Sequence, residues 1–170
     1  MVQPLSTWHD FYQLAGTASA TFVALLFVAA SVGSGIWERR DALRIFLTAT
    51  VVHFSSILFV SLGAIAPLHN AVASGLFIVL VAGVGTTYGA LVLRDLLHHG
   101  LGAAIDMEDR IYYAALPVVG HLLMGLAGIL LALQIAFGGI VLGVAVLLLM
   151  VTGIRNAWDI TVWIIMRPRN

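Results

Sequence analysis

The sequence predicts an all-α integral membrane protein with five transmembrane helices, its N-terminus outside and its C-terminus inside. Three observations support this prediction: the composition, the lengths of the apolar runs and the placement of the arginines. Of the 170 residues, 61% are hydrophobic and only 9% are charged, and the mean hydropathy is +1.06. A typical soluble domain carries about 25% charged residues, so this composition indicates a chain that is surrounded by lipid.

Five apolar runs are each long enough to form a membrane-spanning helix. About 20 helical residues cover the roughly 30 Å of a bilayer core, at a rise of about 1.5 Å per residue. The segments between the runs are short, so they leave no room for a soluble domain. We therefore expect a single five-helix domain over residues 1–170, with spans at Phe11 to Val32, Leu43 to Ala66, Ala71 to Leu93, Ile111 to Phe137 and Ile140 to Ile165.

Local signals mark the ends of these spans. Thr7 with Asp10 three residues later forms a capping box before the first span. The leading segment carries no positive charge and the first run is too long for a signal peptide, so we interpret it as a true span. Turn-forming residues separate the five spans in order: residues 33–35, 67–70, 98–102, and then Gly138 with Gly139, which predict a hairpin.

The arginines predict the orientation. The chain has no lysine, so all eight basic residues are arginine. Seven of them follow the first span, flank the loop after the third span or end the chain: Arg39, Arg40, Arg44, Arg94, Arg110, Arg167 and Arg169. Under the positive-inside rule these segments are cytoplasmic, which agrees with an odd number of spans. We expect a multi-pass protein of the bacterial inner membrane.

Net charge and cysteine content exclude several classes of function. The formal net charge is +0 and the pI is near 7.0, and binding to nucleic acid requires a basic excess, so we expect no nucleic-acid partner. The chain has no cysteine, which excludes disulfides and thiolate metal sites. It also has no Ser-His-acid grouping, carboxylate pair or HExxH spacing, so we expect that it is not an enzyme.

The most informative polar residues lie deep inside the apolar runs. Counted from the predicted inner ends, His53 of the second span and His121 of the fourth both lie roughly 14 to 15 Å deep. Ionisable side chains are expensive at that depth and tend to mark pathways or ligand sites. Other polar residues complete a predicted midplane layer. Thr86, Thr87 and Tyr88 of the third span fall at a similar level, and Arg155, Asn156 and Asp159 of the fifth span lie slightly nearer the inner face.

Two local features modify this layer. Pro117 cannot donate a hydrogen bond to the carbonyl of Tyr113, so it predicts a kink one turn before His121. Arg155 and Asp159 are four residues apart, so they are expected to pair on one helix face and to lower each other's burial cost. That pairing weakens the case for Arg155 as a functional residue and leaves the two histidines as the main candidates.

Small residues at helical spacing predict close packing of helix backbones. Such stripes allow two helices to approach and need no chemical explanation. The predicted packing positions are Gly16, Ala20, Gly85, Gly89, Gly125, Gly128, Gly139 and Gly143. The sequence does not indicate whether they pack within one subunit or between subunits.

Three functions fit these residues. The first is a channel or transporter, homo-oligomeric, in which the midplane layer forms an ion or proton pathway and the histidines relay or gate. The second is a membrane redox protein in which His53 and His121 are ligands of haem b or of a transition metal. The third is a structural or accessory subunit without transport of its own, bound to an unidentified membrane protein partner. Membrane lipid surrounds the chain in every case.

Overall fold

The computed structural model describes residues 5, 7–33, 40–66, 70–98 and 111–166, and these contain helices and no strand. The five α-helices are α1 (His9–Gly33), α2 (Arg40–Ile65), α3 (Ala71–His98), α4 (Leu116–Ala132) and α5 (Gly138–Met166), and a π-helical turn (Ile111–Ala115) leads directly into α4. Five helical segments, one of which combines the π turn with α4, are long and apolar enough to cross a membrane. The expected all-helical fold with five such helices is confirmed.

Four of the helices form a ring. Along it α2 packs on α3, α3 on α4, α4 on α5 and α5 back on α2, while α1 lies outside, mainly against α2. In the candidate span of α1 only 22% of residues are buried, against 50% in those of α2 and α5, so α1 is peripheral. The ring encloses Phe54, Ile57, Met124, Leu142 and Leu149. Residues of α2 and α4 therefore meet across its interior.

Large apolar side chains cover the outside of the bundle. Leu80, Leu122, Val151 and Trp158 are all more than half exposed, and a soluble protein rarely displays a continuous apolar surface of this kind. Such a surface fits a lipid environment, because contact with lipid chains keeps the apolar side chains out of water. The described helices are thus compatible with a multi-pass membrane protein.

The fourth helix ends earlier than the sequence predicts. We expected the span to continue to Phe137, but α4 ends at Ala132 and residues 133–137 form the connection to α5. Gln134 takes a left-handed conformation with φ 58°, its N–H donates to the Leu131 carbonyl, and the N–H of Ile135 donates to the Leu130 carbonyl. These two hydrogen bonds form a Schellman motif, in which the left-handed residue is usually glycine. Because glutamine occupies that position here, the sequence did not indicate that the helix ends.

The glycines that we expected to form the hairpin begin α5 instead. Gly138 and Gly139 are helical. Gly139 and Gly143 contact aromatic residues at the start of α1. The Tyr12 hydroxyl donates to the Gly139 carbonyl at 3.4 Å, and a Cβ added to Gly143 would lie 2.9 Å from Cζ3 of Trp8, the residue before α1. These contacts fasten the start of α1 to the bundle.

Of the remaining predicted packing positions, all but one contact another helix. Gly16 of α1 packs on Ser61 of α2, and a stacked pair of Phe22 and Phe54, 4.7 Å apart, continues the same contact. On α3 and α4, a series of glycine contacts brings the two backbones together: Gly75 with Gly128, Gly85 with His121, Gly89 with Val118 and Gly125 with Ala82. Ala20, in contrast, is exposed on the outer face of α1, away from the described helices.

Candidate functional site

His53 and His121 meet inside the helical ring. Their ring centroids are 5.7 Å apart, with an angle of 48° between the planes. The exposed fraction is 2% for His53 and 0% for His121. Sequence counting placed the two histidines at one depth but did not show that they face each other. The ring arrangement brings them together because α2 and α4 occupy opposite corners of it.

The hydrogen bonds of His121 define its tautomer. Its Nδ1 lies 2.8 Å from the Pro117 carbonyl oxygen, which only accepts, so Nδ1 carries the hydrogen. In the neutral ring Nε2 is then an acceptor, and the Ser56 hydroxyl, 3.2 Å away, donates to it. Ser56 follows His53 by three residues, so the two share one edge of α2. The structure shows that Ser56 instead bonds to the histidine of the opposite helix.

His53 is less well satisfied. Its Nδ1 is fully buried and has no hydrogen-bond partner in the described part of the chain. A buried polar atom without a partner is unusual and destabilising, because it has lost its bonds to water without replacement. The His53 ring lies close to the ring of His121. The two histidines therefore differ: one is held in a fixed orientation, and the other keeps an unused nitrogen.

Gly85 of α3 provides the space for the His121 ring. A Cβ at this position would overlap Cδ2 and Nε2 of the imidazole. Gly85 was predicted from its spacing as a residue of helix packing. Gly85 does lie at a helix contact, but the side chain that it contacts is His121, so this glycine shapes the candidate site.

A groove between α3 and α4 reaches the level of His121. It has a volume of about 490 Å³ and opens at the surface of the bundle. Thr86 and Thr87 lie on its α3 side, and Gly125 on its α4 side. The Thr87 hydroxyl donates to the Gly83 carbonyl of its own helix at 2.8 Å. Tyr88 packs against Val92 and Ala114 and lines, together with Thr87, a neighbouring groove.

The packing around His121 does not fit a haem. The Cδ2–Nε2 edge of the ring lies directly against the backbone of α3 at Gly85, and Ser56 lies 3.2 Å from Nε2. A porphyrin bound through Nε2 would extend several ångströms in every direction around that nitrogen, where these residues lie. Within the described residues there is also no group of three or more His, Asp or Glu side chains arranged to hold a metal ion.

The polar residues of α5 form a second cluster, at the π turn. The Arg155 guanidinium carbon lies 4.0 Å from the centroid of the Tyr112 ring, and its Nη2 lies 3.6 Å from Asp159 Oδ2. The predicted pairing of Arg155 with Asp159 is present. Asn156 Nδ2 donates to the Tyr112 carbonyl at 3.1 Å, and the Tyr113 hydroxyl donates to the Asn156 carbonyl at 3.2 Å.

Pro117 explains why Asn156 is needed there. In the π register, the carbonyl of residue i accepts from the N–H of residue i+5, so the Tyr112 carbonyl would pair with position 117, where proline has no N–H. Asn156 supplies the missing donor. We expected Pro117 to free the Tyr113 carbonyl of an α-helix. The π turn moves the unpaired carbonyl back by one residue, to Tyr112.

The α5 cluster and the histidine pair lie at different levels of the bundle. Tyr112 precedes His121 by nine residues, a distance of about 13 Å along a helix. The structure thus brings together His53 and His121, with Thr86 and Thr87 in the adjoining groove. It does not bring Arg155, Asn156 or Asp159 into that group. Counting residues from each predicted helix end could not detect this, because it assumes that the inner ends of all helices lie at one level. The contact between Arg155 and Tyr112 shows that α5, which runs to Met166, extends well past the start of the π turn at Ile111.

Sequence reasoning missed Tyr112 and Tyr113 as partners of α5, and Ser56 as a partner of His121. Two adjacent tyrosines shortly before a proline were a usable signal, since each ring ends in a polar hydroxyl that needs a partner when it is buried.

Comparison of the chain with protein-family profiles, curated proteins and solved structures finds no match. Function must therefore be argued from these contacts.

Replacing Asn156 with leucine is expected to destabilise the protein by about 1–2 kcal/mol, because the buried Tyr112 carbonyl loses its donor. Part of this loss is offset, since Asn156 Oδ1 is itself buried without a partner and leucine removes it. Unfolding in mixed detergent micelles measures the change. The control is Thr152→Val, one turn earlier on α5, whose buried hydroxyl donates to the Leu148 carbonyl of the same helix at 2.7 Å. Equal losses in the two variants would contradict the assigned role.

Proposed function

We propose that the protein is a small multi-pass membrane channel or transporter in which His53 and His121 carry a proton or another small cation. The observation that supports this is the contact between two histidines from opposite helices, with ring centroids 5.7 Å apart, inside a largely apolar core. Packing alone would be served better by apolar residues, since buried polar groups must be satisfied at each nitrogen. Ionisable groups at such a position tend to mark a pathway or a ligand site.

The hydrogen bonds assign different parts to the two rings. Because the Pro117 carbonyl holds Nδ1–H of His121, this residue exchanges a proton through Nε2, on the side of Ser56. His53 has an unused Nδ1 that accepts or releases a proton when its neighbour changes. A proton bound at Nε2 of His121 gives an imidazolium, and its return leaves the neutral ring. Histidine suits this exchange because its two forms interconvert near neutral pH.

The rest of the proposal concerns assembly and location. The groove between α3 and α4 adjoins His121 and opens on the surface, so a second copy covering it would enclose the approach to the pair. We therefore propose a homo-oligomer. The arginine distribution supports insertion in a bacterial inner membrane with the N-terminus outside and the C-terminus inside.

Proton or ion flux into liposomes containing the purified protein tests the proposal. We expect His53→Ala and His121→Ala each to lower the flux by about tenfold or more between about pH 5 and pH 8. The control is His9→Ala, because His9 lies at the start of α1 and contacts only its neighbour Asp10, at 3.2 Å, among the contacts described for it. Unchanged flux in both core variants would reject the relay.

The accessory-subunit hypothesis is the second candidate, and one observation favours it. Both nitrogens of His121 are bonded within the chain, and Arg155 has Asp159 and Tyr112 as partners, so these polar groups are largely satisfied without a transported species. The intact mass of the complex extracted in mild detergent separates the two candidates. A closed homo-oligomer supports transport, whereas an obligatory foreign subunit supports the accessory role.

A further inference from the structure

We propose that His53 and His121 together bind one monovalent soft metal ion, with copper(I) as the natural species and silver(I) as its chemical analogue. This deepens the proposed function, since it names the class of cation that the site accepts. The binding step itself can be tested without any transport. It involves no change of oxidation state: the ion enters as a monovalent cation and the two imidazoles supply neutral lone pairs.

The first observation is the state of the two imidazoles. His53 Nδ1 is buried and has no partner among the described residues, so a lone pair or an N–H points into the core without a bond. His121 donates Nδ1–H to the Pro117 carbonyl at 2.8 Å, which leaves Nε2 as the lone-pair nitrogen. Imidazoles that bind metals usually donate their second N–H to a carbonyl or carboxylate in this way, because it fixes the tautomer and the ring orientation.

The second observation is the spacing of the rings. Two metal–nitrogen bonds of about 2.0 Å, placed in line, separate two imidazole centroids by about 6 Å. The observed separation is 5.7 Å. The Ser56 hydroxyl, 3.2 Å from Nε2, has to rotate away from the lone pair, which a serine achieves by changing a single side-chain torsion. A single ion occupies far less space than the porphyrin that Gly85 and Ser56 exclude.

The third observation is the charge of the surroundings. The described carboxylates whose side-chain contacts are defined, Asp10, Asp95 and Asp159, each pair with a residue of their own helix. No third His, Asp or Glu side chain in the described part of the chain joins the two histidines. The charging energy of an ion in a low-dielectric interior rises with the square of its charge, so a site of two neutral ligands favours a monovalent ion.

The fourth observation is the presence of a soft side chain on the same helix face. Met124 follows His121 by three residues, lies on its side of α4 and is fully buried. Thioethers and imidazoles are ligands that copper(I) accepts, whereas magnesium and calcium prefer oxygen. Met124 is therefore the candidate for a weaker third ligand.

Metal retention by the purified, detergent-solubilised full chain tests the inference. The protein is loaded with silver(I), or with copper(I) in the presence of a reductant, desalted, and the bound metal is measured by mass spectrometry of the digested sample. We expect about one ion per chain in the native protein and less than about a tenth of that in His53→Ala and His121→Ala. His9→Ala should retain the native amount.

Two further measurements distinguish the loss of a metal ligand from misfolding of the variant. His53→Gln and His121→Gln preserve more side-chain volume, and a folded variant of either kind should also lose the ion. X-ray absorption of the loaded protein should show two nitrogen neighbours at about 2.0 Å, with a sulfur scatterer that Met124→Leu removes. No retained silver or copper in the native protein, or full retention in both histidine variants, would overturn the inference, as would displacement of silver(I) by an equimolar amount of zinc(II).

The binding and transport claims can fail separately. Stoichiometric binding that depends on both histidines, together with no flux of any cation in liposomes, would reject the transport function and keep the metal site. Proton flux that depends on the histidines, together with no bound silver or copper, would keep the transport function and reject the metal site.

Discussion

Replacing Gly85 with alanine is expected to destabilise the protein by about 2 kcal/mol and to displace the His121 ring. A Cβ at Gly85 would overlap Cδ2 and Nε2 of that ring, so the imidazole must move away from α3 and lose its bond to Ser56. Alanine is favoured over glycine in a helix by about 0.5–1 kcal/mol, which offsets only part of the overlap. Unfolding in mixed micelles measures the stability, and the ¹⁵N chemical shifts of His121 report its hydrogen bonds.

Gly83→Ala is the matched control, two residues earlier on α3. An added Cβ there meets nothing within 4 Å, so we expect no loss of stability and unchanged His121 signals. The double variant Gly85→Ala with His121→Ala should recover part of the stability lost by the first substitution, because the overlapping ring is absent. Equal behaviour of Gly85→Ala and Gly83→Ala would show that the glycine does not shape the site.

Replacing Gly75 with alanine is expected to cost about 3 kcal/mol, at the upper end of the usual range for overpacking. A Cβ at Gly75 would overlap the Gly128 carbonyl oxygen and would lie 2.8 Å from the backbone nitrogen of Ala132. These are backbone atoms of α4 that cannot rotate away, so α3 and α4 must separate. In a membrane, close packing is a principal source of attraction between helices, and their separation weakens the whole contact.

Gly125→Ala on α4 is the control for this substitution. Its added Cβ would lie 3.5 Å from the Cβ of Ala82, which is an ordinary van der Waals contact. We expect its stability to equal or exceed that of the native protein, measured by the same unfolding transition. A similar large loss for Gly125→Ala would mean that the α3–α4 contact is generally intolerant of methyl groups and does not depend on Gly75.

The helix count followed from composition, and most helix ends lie within about three residues of their predicted positions, but the C-terminal ends of α3 and α4 do not. Five long apolar runs predict five helices because an α-helix satisfies its backbone hydrogen bonds within one continuous segment, as lipid requires. The end of α4 depends on the left-handed conformation of Gln134, and the sequence has no glycine at this position to indicate it. The π turn also escaped prediction, because it follows from the missing N–H of Pro117 together with a donor, Asn156, that lies 39 residues later in the sequence.

The candidate site shows the same division. Depth counting predicted that His53 and His121 share a level, since a helix rises by a constant distance per residue. Counting placed Arg155 and Asn156 near that level as well, yet they lie beside Tyr112, about 13 Å away along α4. Equal counts give equal depths only where the helix ends lie at one level, and a residue's neighbours depend also on helix rotation and on which helices adjoin.

The sequence alone therefore determined the all-helical fold, its number of long apolar helices and the pair of histidines on which the proposed function depends. Those properties follow from the chemistry of single residues and from the regular rise of a helix. Only the tertiary structure decided that the two rings face each other, that Ser56 bonds to His121 across the ring, and that Gly85 makes room for it. These contacts join distant parts of the chain, so they depend on helix order and rotation, which helix–helix packing sets.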